Sequence, residues 1–315
     1  MRALRDHELL VVTGKGGVGR TTTTAALGLA AAREGLRTCV VELGGQASLA
    51  RTLGLPDAAY GPREVAPGLH LMSLSATACL GDFGQRKLHV GALARWFFES
   101  RVMAGFVEAV PGLTDVVQLG KVEDMLAAPQ RDDPVFDLVV LDAPATGHGL
   151  TLLAAARAMA EMTAVGPFHD LAAIIEGLLG DPERTGVVLV TLPEALPVQE
   201  SVELAHALAT DGAPPVLTVV NQRLPPWPDG LDEAAVTAAL TAGAGPDEPA
   251  PPLLADLARS ELRRHRAQVE ALAQLARRLP EVVGHPVPLA SLARLADPGR
   301  LDDLLPPLRA HLGAP

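Results

Sequence analysis

The chain has 315 residues, 48% hydrophobic but only 3% aromatic, with a formal net charge of −11. That length suits one large α/β domain packed by Leu, Val and Ala, and the charge argues against broad attraction to nucleic acid or anionic lipid. Two cysteines, Cys39 and Cys79, cannot build a disulfide framework or a thiolate zinc site, and no stretch approaches the roughly 18 apolar residues of a membrane span, so a reducing cytoplasm is the expected setting.

In chain order, the first apolar run, "ELLVVT" (8–13), predicts a strand. Charges on both sides make it too short for a signal peptide. It runs into a glycine-rich turn, "GKGGVGRTT" (14–22), and an Ala-rich helix over 21–34 that Gly35 stops. Further strands are predicted at 37–43, 69–75, 136–142, 186–192 and 215–221. Several are apolar on successive residues, as strands covered on both faces are. Helical segments between them imply a doubly wound, mostly parallel sheet, an α/β fold in a single domain over 1–315.

Two regions interrupt this rhythm. Residues 79–128 read as a helical insertion, with Leu93, Trp96, Phe97, Val102, Met103, Phe106 and Val110 broadly along one side. Residues 224–252 are Pro/Gly-rich at both ends and read as a mobile linker within the domain. A basic amphipathic helix (254–278), the short run "HPVPLA" and a last helix from about 300 complete the chain.

The turn after the first strand carries the chemistry. Gly14, Gly16, Gly17 and Gly19 permit tight curvature and close approach of a phosphate, and Val18 completes the curl. Converging backbone N–H groups and the helix N-terminus make an anion site. Thr21 or Thr22 would supply a hydroxyl to Mg2+. Against the template G-x-x-x-x-G-K-[ST], Arg20 stands where Lys is expected, and a second cation, Lys15, follows the first glycine.

The K-G-G-V-G pattern resembles the deviant Walker A loop of dimeric P-loop ATPases. Later motifs single out the ArsA family, which includes arsenite-pump-driving and tail-anchored-protein targeting ATPases. "VVLDAPATGHGLTLL" (139–153) is similar to that family's switch II. The resemblance implies that Asp142 faces Mg2+, and that Thr146, Gly147 and His148 form the T-G-H element. It implies that Lys15 reaches a partner's nucleotide across a dimer, and that Asn221, at the end of "VVN", contacts adenine. "VTLPEALPVQES" (190–201) and "VPGLTDV" (110–116) also resemble family segments. The residues alone leave alternatives: Asp142 as a turn cap, His148 as a helix start, Asn221 as a turn former.

Two positions depart from the family pattern. Arg20 keeps the charge of the usual Lys but is longer, planar and forked. In switch I, Gly44 stands where the family's water-activating Asp is expected. Glu42, two residues earlier, would point to the same face of an extended strand. It could substitute for that Asp or simply be a charge at the sheet's edge. The expectation is an ATP- and Mg2+-binding dimeric switch with slow hydrolysis. It would pair with itself or a more complete paralogue and act on a protein client or membrane partner. A non-catalytic scaffold subunit and a partitioning-type ATPase are the alternatives. Neither nucleic acid nor structural zinc is expected.

Overall fold

Alternate residues of the first apolar run face opposite sides of one sheet, and both sides are covered. Leu9 and Val11 of β1 (Leu9–Thr13) join one apolar cluster, while Leu10 and Val12 join another. All four are at most 3% exposed. At about 25 cal/mol per Å2 removed from water, each such side chain contributes roughly 1.5–3 kcal/mol.

The computed structural model describes residues 3–87, 112–126, 136–143, 148–163, 165–227, 234–236, 238, 252–295 and 300–313. Its other strands are β2 (Thr38–Leu43), β3 (Arg63–Ala66), β4 (Leu69–Leu74), β5 (Leu138–Asp142), β6 (Thr185–Thr191), β7 (Pro215–Arg223) and β8 (Leu289–Ala293). They form an eight-stranded sheet in the order β3-β4-β2-β5-β1-β6-β7-β8. Every neighbouring pair is parallel except β3–β4. This is the expected α/β, doubly wound architecture. Two strands escape the sequence reading: β3 is four residues of mixed polarity, and β8 starts on the last two residues of the proline-broken "HPVPLA".

The helices are α1 (Arg20–Arg33), α2 (Ser48–Thr52), α3 (Ala76–Lys87), α4 (Leu113–Leu126), α5 (His148–Met162), α6 (Pro167–Gly180), α7 (Ala195–Thr210), α8 (Pro252–Val283) and α9 (Leu305–Leu312). α1 and α9 lie over one face of the sheet, with the Leu10/Val12 cluster. α4, α5 and α6 cover the other face, and α7 and α8 cover β6 and β7. On α6 the apolar stretch 168–180 buries Leu171, Ala172, Ile175, Leu178 and Leu179 in the core. The basic helix α8 turns Leu262, Ala271, Leu275 and Leu279 inward. Residues 93–110 and most of the 224–252 stretch lie outside the described residues. Among the described residues no helix is long and apolar enough to cross a membrane.

Candidate functional site

Parallel pairing of β1 with both β5 and β6 puts the glycine-rich turn at the carboxyl edge of a central strand, where doubly wound sheets bind ligands. The turn needs its glycines. Gly14 has φ 153°, and a Cβ there would sit 2.4 Å from the Val190 carbonyl oxygen. Gly19 has φ 90°, and its Cβ would lie 2.0 Å from Asn221 Nδ2. Gly19 is also the N-cap of α1 and provides no side-chain cap. The first N–H groups of α1 therefore point to the turn without a capping side chain.

Arg20 and Thr21, the first two residues of α1, tie the turn to β5. The Thr21 hydroxyl donates to Asp142 Oδ2 at 2.7 Å, and an Arg20 guanidinium nitrogen donates to the Ala143 carbonyl at 2.5 Å. Asp142 is 8% exposed, and its Oδ1 is buried with no hydrogen-bond partner. Burial drives its carboxyl up to about 6, Glu42 pushes the same way, and Thr21 and Arg20 pull it down. Burial also lowers the Arg20 guanidinium, an effect that Asp142 opposes. An orphaned carboxylate oxygen beside a hydroxyl is the donor set expected of a Mg2+ site completed by phosphate and water. The residues present fit that ion. Among the described residues no cluster of three or more His, Cys, Asp or Glu suits a metal.

Glu42 lies beside Asp142 in the β2–β5 register and is 3% exposed. Its Oε1 accepts the backbone N–H groups of Ser48 (2.7 Å) and Leu49 (3.4 Å), and its Oε2 lies 3.5 Å from the Ser73 hydroxyl. The carboxylate thus holds the first turn of α2. The loop between them runs through left-handed backbone at Gly44, Gly45 and Ala47, with φ of 86°, 69° and 54°.

Lys15 lies 3.8 Å from Glu200 on α7, and both side chains are partly exposed. Asn221 ends the buried part of β7. Its Nδ2 donates to the Val18 carbonyl at 2.9 Å, and its Oδ1 accepts the N–H of Gln222. A groove of about 800 Å3 opens beside Thr22 and Asn221, flanked by the end of β8. Of the paired threonines, Thr21 meets Asp142 and Thr22 lines the groove. Thr146 and Gly147 lie outside the described residues, as does the side chain of His148, whose backbone starts α5. Sequence reasoning missed Glu200 and Gln222, because neither belongs to a recognisable spacing.

A family model for anion-transporting ATPases matches residues 7–165. The chain is 29% identical over 319 aligned residues to the ATPase BagA of Mycobacterium tuberculosis, covering 96% of this chain and 92% of that protein. It is 29% identical to an arsenical pump-driving ATPase of Escherichia coli, over 70% of this chain and 36% of the longer protein. To the ATPase GET3B of Arabidopsis thaliana it is 25% identical, over 68% of this chain and 63% of that one.

Proposed function

The chain belongs to the anion-transporting ATPase family, and on that premise we propose that it is a dimeric, Mg2+-dependent ATP switch with slow hydrolysis. Its nucleotide state would be passed to a protein client or membrane partner. Both cysteines, Cys39 and Cys79, are buried and not joined in a disulfide, which supports a cytoplasmic setting.

The residues divide the work. Backbone N–H groups from Gly14 to Thr21 cradle the phosphates, and Lys15 and Arg20 offset their charge. Thr21 and Asp142 hold Mg2+, which when bound neutralises charge on the phosphate oxygens. Lys15, free to leave its weak pairing with Glu200, reaches the partner's nucleotide. Asn221 keeps the turn in shape through Val18.

One observation carries slow hydrolysis. No carboxylate is available in switch I: position 44 is glycine, and the nearby Glu42 is committed to the Ser48 and Leu49 amides. A general base must come within hydrogen-bond reach of the attacking water. The same gap supports pairing with a paralogue that brings its own base, or a scaffold role within such a pair.

Calorimetry with Mg·ATP, followed by turnover of the purified protein, tests the reading. Binding with turnover far below that of a relative such as the E. coli arsenical pump-driving ATPase is expected. Turnover equal to that relative's refutes slow hydrolysis, and absence of binding heat refutes the nucleotide switch.

A further inference from the structure

Ala143 is where the sheet gives way to the stretch that leads into α5. It is 1% exposed, and its N–H still belongs to the sheet, donating to the Val12 carbonyl at 3.2 Å. Its carbonyl lies just past Asp142, the last paired residue of the β1–β5 ladder. A buried carbonyl at a strand end needs a donor. That donor is the Arg20 guanidinium, at 2.5 Å and 123 positions away in sequence.

Arg20 is also the first residue of α1, directly after the phosphate turn. A guanidinium carries several N–H donors in one rigid plane, and the Ala143 carbonyl takes one of them. The others can meet a phosphate oxygen in the turn without releasing Ala143. The ammonium of the usual lysine is a point charge on a flexible stem, with no fixed fork to tie two partners together. Arginine at this position therefore adds a connection between the phosphate turn and the root of α5, which starts at His148.

We infer that Arg20 is a positioning residue: it bridges bound phosphate and the Ala143 carbonyl, so that filling the turn steadies the backbone from Ala143 into α5. This rests on the nucleotide reading above. It lets a chain whose Glu42 is committed to the α2 amides report occupancy by binding alone, without hydrolysis.

Hydrogen exchange of the full chain tests the bridge, read at the Ala143 amide and at the α5 amides from Leu152 to Met162, with and without saturating Mg·ATP. Wild type, Arg20→Lys and Arg20→Ala are compared, with calorimetry confirming saturation. In wild type Mg·ATP is expected to slow these amides about tenfold, the worth of one hydrogen bond from a charged donor. In Arg20→Lys, which still binds Mg·ATP, the slowing falls to within about twofold. In Arg20→Ala it disappears, and it returns with added guanidinium ion, far below unfolding concentrations, but not with methylammonium.

Equal slowing in wild type and Arg20→Lys overturns the inference, as does its absence in a wild type that binds Mg·ATP. Rescue by methylammonium also overturns it, by leaving charge alone as the cause. So does loss of Mg·ATP binding in Arg20→Lys, which would make Arg20 a binding group and no bridge. Variants that alter exchange only without nucleotide, and keep the ATP-dependent slowing, would reduce Arg20 to a prop of the empty fold. Absence of binding heat in wild type would instead remove the nucleotide reading itself.

Discussion

Replacing Asp142 with Asn should uncouple fold stability from pH in a calculable way. The Asp142 carboxyl has its folded value raised from 3.8 to about 6, chiefly by burial. A raised carboxyl burdens the fold when ionised. Its cost is full above the folded value and disappears as pH falls below the unfolded one. A shift of roughly two units at 1.36 kcal/mol each corresponds to about 3 kcal/mol at about pH 8, shrinking to about 0.5 kcal/mol near pH 4. Asn keeps the Thr21 hydrogen bond and does not titrate. Whatever fixed offset its NH2 introduces, the difference in unfolding free energy between variant and wild type should move by about 2–3 kcal/mol in the variant's favour from about pH 4 to pH 8. Urea unfolding of both proteins without metal or nucleotide measures this at each pH. A difference that stays constant across the range, or moves in wild type's favour, refutes the claim that Asp142 is buried at a cost to the fold.

Arg20→Lys should raise turnover severalfold in a phosphate-release assay while leaving nucleotide affinity within about tenfold, because the charge is kept and only its shape changes. Lys15→Ala should abolish ATP-dependent dimerisation in sedimentation velocity. It should change monomer stability by less than about 0.5 kcal/mol, since the Lys15–Glu200 pair is half-exposed. Gly19→Ala should eliminate Mg·ATP binding by calorimetry, because its Cβ would displace Asn221 from 2.0 Å away and sit in left-handed backbone.

The parts of the sheet legible in sequence were those with two buried faces. β1, β2, β5 and β6 read as unbroken apolar runs because helices cover both sides of them. β3 has two exposed and two half-buried residues, so no apolar signal marks it. In the site, the glycine spacing announced the turn, and the likeness of residues 139–153 to the family's switch II pointed to Asp142. The role of Glu42 was not legible. Sequence placed it near the phosphates, but only the left-handed loop through Gly44, Gly45 and Ala47 brings the α2 amides back onto its carboxylate. Lys15 and Glu200 are 185 positions apart in number, and only the β1–β6 pairing makes them neighbours.

The antiparallel strand β3 also limits how the sheet could be extended by another chain. It ends the sheet with four residues, of which Arg63 and Glu64 are exposed, and Arg63 is paired with Asp57. A short, charged border is a poor template for a further strand from another molecule. Growth by sheet extension is thereby discouraged on that side.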